Sequence, residues 1–345
     1  YGLQELSPEQ DAQIDEFLLR YRLPPTNLYH HDDVYPARTA LLRERERAGG
    51  LCTLRYAGSA KDDATAEAIA AACRRTVDEL RPDGLDANLY FYSFDEIVGQ
   101  GLTGLPAAQR LLPRVRQAVP GIRALQTSFP TPEVRDLFNA WCPLVNHFAS
   151  PSDLAELRRV AATPGQEVWW YLADSPQAPM PNLFLGYPVY DSRILMTLSY
   201  MYEVKGVLYW CINREWKTNT TPGARWPALP WEPYLNSADS GRKVSKHGMG
   251  NLVYPGPEGR IYPSLRLENL RDGIEDYEYL RLLERLVRQA ETGGGRGRAL
   301  AEARALLKVP PTVARAVDDY AADPTALLAY REKVARAIER LGATP

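Results

Sequence analysis

The chain has 345 residues, 45% apolar and 24% charged, with a formal net charge of −2. That length suffices for one large core or two domains. The near-neutral balance offers no basic surface for nucleic acid, and no run of about 18 apolar residues suggests a membrane span. Against only 7 Phe stand 20 Tyr and 7 Trp, rings that pack on one face and hydrogen-bond at the edge, as sugar-binding clefts and ordinary cores both require. Four scattered cysteines show neither zinc nor redox spacing, and four histidines, with only His30 and His31 adjacent, argue against a histidine-rich metal site. No cofactor is expected. The first residue is Tyr1, which reads as a processed or excised piece of something longer.

An amphipathic helix opens the chain ("SPEQDAQIDEFLLRYRL", 7–23), with Ser7 as its N-cap. Apolar runs at 23–30, 50–56, 87–94 and 122–128 read as strands, followed by part of 137–147, 167–174 and 206–213. Helical patterns separate them, among them "DDATAEAIAAACRRTVDELR", "LPAAQRLLPRVRQAV" and "SPSDLAELRRVAATP", the last capped by Ser150 or Ser152. Such alternation predicts an α/β protein with parallel strands covered by helices. Seven strands, preceded by what reads as the loop and helix after an earlier one, predict a (β/α)8 TIM barrel over 1–285. Its first strand is then missing or incomplete at the N-terminus. A doubly wound sheet is the competing architecture, but no Gly-rich phosphate loop follows an early strand. Residues 286–345 predict a C-terminal helical extension packed on the barrel, with "TGGGRGR" (292–298) as a flexible link.

Barrel active sites form at the C-terminal ends of the strands. Those ends carry His30, Tyr56, Asp95 with Glu96, Ser128, Asn139 with Trp141, the run Trp169, Trp170 and Tyr171, and Trp210 with Asn213. Acids, amides and aromatics describe a neutral-sugar site better than a phosphate site, which would want Arg, Lys or a helix N-terminus. For His30, Trp141, Trp170, Tyr171, Trp210 and Trp216, sugar contact stands against packing in the core or at the surface. For Asn139 and Asn213 it stands against loop hydrogen bonding. Asp95 and Glu96 are the centre of the pattern, because "LYFYSFDE" is an aromatic strand that ends on two adjacent acids. Strand alternation sends neighbouring side chains to opposite faces, so both reach one pocket only where the strand ends or bulges. A proton-holding acid beside an ionised partner is what glycosidic cleavage requires. An exposed pair, one acid capping the next helix, is the structural alternative.

"LYFYSFDE" resembles the active-site strand of glycoside hydrolase family 123. "GNLVYPGPEGRIYPSLRLENLRDGIEDYEYLRLL" (250–283) resembles the C-terminal signature of the same catalytic domain, and "EVWWYLADSP", "DSRILMTLSYMYEVKGVLYW" and "DLFNAWCPL" also fit. The resemblance covers roughly 20–285 and implies a (β/α)8 barrel acting on β-linked N-acetylgalactosamine by substrate-assisted catalysis. Glu96 would be the general acid/base. Asp95 would hold the N–H of the 2-acetamido group, whose oxygen attacks the anomeric carbon. Tyr190 and Arg193 lie in a family-like segment, Tyr190 as a substrate contact and Arg193 as a contact or a structural ion pair. The acid-dense "RLENLRDGIEDYEYL" is expected to be structural, closing the barrel. The family commonly places Pro after the acid pair, where this chain has Ile97. The expected partner is a glycan or glycoconjugate, with no nucleic acid, and the expected location is secreted or cell-surface. A glycosidase acting on a sugar without an acetamido group, or a silent carbohydrate-binding module, are the competing functions.

Overall fold

A computed structural model of the chain describes residues 8–24, 52–55, 61–213, 248–256, 260–295 and 297–342. His30, Tyr56, Trp216, Ser7 and most of the expected strand at 23–30 lie outside them. The chain forms two compact units that change over between Tyr171 and Leu172.

The first unit is a mixed α/β layer structure. Strands β1 (Cys52–Arg55), β2 (Leu89–Tyr92), β3 (Arg123–Gln126), β4 (Ala140–Trp141) and β5 (Glu167–Val168) form one sheet in that order. Every pairing is parallel, with Cys52 opposite Leu89, Tyr90 opposite Arg123, Leu125 opposite Ala140 and Ala140 opposite Glu167. A parallel bridge from Leu144 to Tyr171 carries the pattern into β6 (Trp170–Leu172). All four residues of β2 are buried, as in a parallel strand covered on both faces.

Four helices are described here: α1 (Pro8–Arg20), α2 (Asp63–Leu80), α3 (Leu105–Ala118) and α4 (Pro151–Ala161). Asp62 caps α2 by accepting the Thr65 N–H at 2.7 Å, and Ser150 caps α4 by accepting that of Asp153 at 3.4 Å. The buried stripe of α2 (Ala66, Ala70, Cys73, Val77, Leu80) has helical spacing and packs against α3, whose Ala108, Leu111, Leu112 and Val115 are buried in turn.

The sheet is strongly curved. The Tyr90 hydroxyl donates to Glu167 Oε2 at 2.8 Å, although β2 and β5 are separated by two strands. In a flat sheet those strands would lie about 14 Å apart with side chains standing parallel, so the sheet curls toward this face. Arg123 joins the contact, donating to the Tyr90 hydroxyl at 2.8 Å with its guanidinium 4.0 Å from that ring's centroid. Burial, then the hydrogen bond to Glu167, pushes the Tyr90 phenol up against the opposing pull of Arg123.

In the second unit β7 (Val207–Tyr209) leads to Trp210, whose N–H donates to Leu172 O at 3.0 Å. An antiparallel hairpin follows, β8 (Val253–Pro255) with β9 (Ile261–Pro263). Helices α5 (Asp191–Met201) and α6 (Leu265–Thr292) pack so closely that a Cβ on Gly273 would meet Arg193 O at 2.5 Å. Only glycine fits that crossing. α6 runs unbroken through residue 285, the point where the sequence places a domain boundary. Beyond it α7 (Arg298–Leu306) and α8 (Thr325–Gly342) flank a second hairpin, β10 (Ala314–Ala316) with β11 (Asp319–Tyr320), in a stretch expected to be all-helical.

The acid-dense segment works structurally. Asp276, 4% exposed, meets Arg193 Nε at 2.7 Å and Arg331 Nε at 2.6 Å. Arg266, 3% exposed, donates to the carbonyls of Leu183, Gly248 and Asn251. Asp191, in the first turn of α5, is also buried and accepts from the Tyr320 hydroxyl at 3.1 Å. Burial pushes its carboxyl up to about 6, against the Tyr320 hydrogen bond and the Asn182 backbone.

Candidate active site

At the C-terminal end of β2 the chain leaves the sheet through a tight turn. Glu96 takes a left-handed backbone conformation, φ +43°, which costs a non-glycine residue roughly 1–2 kcal/mol. The end of β3 supplies the compensation. Glu96 N–H donates to Thr127 Oγ1 at 2.9 Å, Ile97 N–H to Gln126 Oε1 at 3.4 Å and Val98 N–H to Ser128 Oγ at 3.3 Å. Gln126 Nε2 also donates to Phe94 O at 3.1 Å. At about 0.5–1.5 kcal/mol for each bond, the set offsets the strained φ. Ile97 itself is buried, 1% exposed. A proline at that position would have no N–H for Gln126.

This turn resolves the alternation problem. Asp95 Oδ1 accepts two hydroxyls, Tyr92 at 2.5 Å and Thr127 at 2.9 Å. Glu96 Oε1 accepts the Tyr171 hydroxyl, delivered from β6 on the far side of the curled sheet. Neither acid meets a cation through any of these bonds. Burial, then the Glu96 hydrogen bond and charge, pushes the Tyr171 phenol far up, so it stays a protonated donor.

The expected site residues separate into groups. Asp95, Glu96 and Tyr171 come together, the last through Glu96. Trp141 and Trp170 lie in the core of the first unit at 1% and 0% exposure. Trp141 Nε1 donates to Gln166 Oε1 at 2.9 Å, and Trp170 packs edge-on against Phe148. Opening such a ring of 150–250 Å² to a sugar would cost about 4–6 kcal/mol. Asn139 stands at the opposite end of the strands, where Oδ1 accepts Ala124 N–H at 2.6 Å and Nδ2 donates to Ile122 O at 3.2 Å. Tyr190, Trp210 and Asn213 belong to the second unit. Tyr190 precedes α5, 7% exposed, and its hydroxyl lacks a hydrogen-bond partner among the described residues. Trp210 is half-buried, and Asn213, 5% exposed, bridges to Asn251.

Tyr92, Gln126 and Thr127 escaped the sequence reading. The available signal was "LQTSF", three polar residues closing an apolar strand, and Tyr92 three residues before Asp95 on an aromatic run. Among the described residues no group of three His, Cys, Asp or Glu gathers to hold a metal. None of their helices is long and apolar enough to cross a membrane.

Two neighbouring carboxylates held by hydroxyls at the C-terminal end of a parallel sheet suit a hydrolase of carbohydrates. The chain belongs to glycoside hydrolase family 123, since the family's description, "Glycoside hydrolase 123, catalytic domain", matches residues 90–283, more than half its length. It is accordingly a glycoside hydrolase, and its substrate is a carbohydrate. A search of curated proteins returns no match.

Proposed function

We propose that the protein is a retaining β-N-acetylhexosaminidase that cleaves β-linked N-acetylgalactosamine by substrate assistance. The observation carrying this reading is the turn that brings two adjacent acids to one end of the sheet, each met by a different hydroxyl set. Glu96, as acid, protonates the glycosidic oxygen while the C1–O bond breaks. The substrate's acetamido oxygen forms the new bond to C1, giving an oxazolinium intermediate. Asp95 accepts the acetamido N–H and orients that internal nucleophile. Water then attacks C1 as the C1–O bond of the oxazolinium breaks and restores the acetamido group, Glu96 removes the water's proton, and the configuration at C1 is retained. Because the sugar brings its own nucleophile, the two carboxylates need not straddle the anomeric carbon as in an ordinary two-carboxylate mechanism.

Closure of the curved sheet into a (β/α)8 barrel belongs to the same reading. Its support is the parallel order in which each strand pairs with the next, and the reach of Tyr90 across two strands.

The test uses aryl β-N-acetylgalactosaminide. Glu96→Gln should lower kcat by about 10²–10⁴, and a thiazoline mimic of the oxazoline should inhibit. Full activity in Glu96→Gln would remove the assigned acid. Equal turnover of the aryl β-galactoside lacking the acetamido group would overturn substrate assistance and leave a glycosidase of another mechanism.

A further inference from the structure

We infer that Thr127 is the positioning residue that couples the two acids, setting Asp95 and the Glu96 backbone against each other through one hydroxyl. The inference rests on Asp95 and Glu96 being the reactive pair. A threonine hydroxyl has one proton to give and lone pairs to receive. Here the proton goes to Asp95 Oδ1 at 2.9 Å, and a lone pair receives the Glu96 N–H at 2.9 Å. The Tyr92 hydroxyl lies 3.2 Å away and makes its own 2.5 Å bond to the same Oδ1. Thr127 is 3% exposed and Tyr92 0%, so neither bond competes with solvent.

The consequence is geometric. With Oδ1 engaged by two donors, rotation of the Asp95 carboxylate is restricted and Oδ2 is held in a fixed direction. With the Glu96 N–H engaged by the same oxygen, the left-handed φ of Glu96 is tied to that direction. Substrate assistance demands such a tie. The acetamido group must be turned toward C1 by one acid at the moment the other delivers a proton, and an error of about 1 Å between them is costly. Tyr92 bonds to Asp95, and Thr127 bonds to Asp95 and to the Glu96 backbone at once.

The experiment compares Thr127→Val, which keeps the shape and removes the hydroxyl, with Thr127→Ser, which keeps the hydroxyl. Each is assayed on the aryl glycoside the wild type turns over best. Thr127→Val should lose roughly 10- to 100-fold in kcat, with KM changed by less than about threefold. Affinity for the thiazoline mimic should weaken in parallel with kcat, because that compound reports the oriented intermediate. Thr127→Ser should restore kcat to within about threefold of wild type. If Thr127→Val does not fold, Thr127→Ala takes its place with the same expectations.

A merely structural threonine would lower the melting temperature in the hydroxyl-free variants while leaving kcat per folded molecule unchanged. That result overturns the inference, as does a Thr127→Ser variant as impaired as Thr127→Val. Glu96→Gln run alongside separates the two levels. A dead Glu96→Gln with a fully active Thr127→Val refutes the coupling alone, whereas a fully active Glu96→Gln refutes the reactive pair and the coupling with it.

Discussion

Two acidic centres among the described residues are met by different partners. In the first unit Asp95 and Glu96 are met by hydroxyls, from Tyr92, Thr127 and Tyr171. In the second unit Asp276 is met by two guanidiniums, Arg193 and Arg331. A hydroxyl can donate or accept, whereas a guanidinium can only donate. Partner chemistry thus separates the acids of the turn after β2 from the acid that bolts helices together. Acid density in the sequence does not make this distinction, since "RLENLRDGIEDYEYL" is far richer in carboxylates than "SFDE".

The largest effect that would sharpen the contrast is on stability. Asp276→Asn leaves Arg193 and Arg331 without their shared counter-charge, which should cost about 3–5 kcal/mol in denaturant unfolding. The folded fraction should keep its kcat. An Asp276→Asn protein as stable as wild type would break the contrast from the structural side.

Next in size is Tyr171→Phe, which removes one hydroxyl from Glu96 and keeps the ring. It should lower kcat about tenfold with little change in melting temperature. Unchanged kcat together with a lower melting temperature would make the Tyr171 bond structural, like those of Asp276.

Smallest is a pH effect at Asp191, a third kind of acid, buried and met by the Tyr320 hydroxyl. Burial pushes its carboxyl up to about 6 from an ordinary 3.8. The stability it contributes is therefore fully present below about pH 4 and lost as pH rises through about 6. Asp191→Asn does not titrate, so its melting temperature relative to wild type should climb by about 2–4 °C over that window and level off above it. A flat difference would show that Asp191 is not held neutral by burial.

Much of the fold was legible because it is encoded locally. The described strands from β1 to β7 fall inside the apolar runs read from the sequence, and the Ser150 cap falls where a cap residue precedes a helical pattern. The hairpin at β10 and β11 was not legible. "VARAVDDY" sits among long helical patterns, and its two strands are only three and two residues long. The site was legible as a pair of acids and illegible as a mechanism of holding them. Strand ends named Trp141, Trp170 and Asn139 along with the acids, yet which face a side chain takes depends on sheet curvature that no single strand encodes. Thr127 gained its role only from the register that sets β3 beside β2. The left-handed Glu96 follows from bonds made 29 to 32 residues away in sequence.

The clamp on the acid-bearing turn comes from three consecutive residues, Gln126 to Ser128, all on the strand that follows next in the chain. Apart from the Tyr171 bond, the bonds described here on the pair and its turn come from one β–α–β segment, from Leu89 to Ser128. Such a segment is inheritable as a block. Substitutions in other loops could retune which sugar is admitted without disturbing the segment's internal bonds, and a change at Gln126, Thr127 or Ser128 would disturb them whatever sugar is bound. Amides 96 to 98, although outside any strand, should share the slow hydrogen exchange of β3, to which they are fastened.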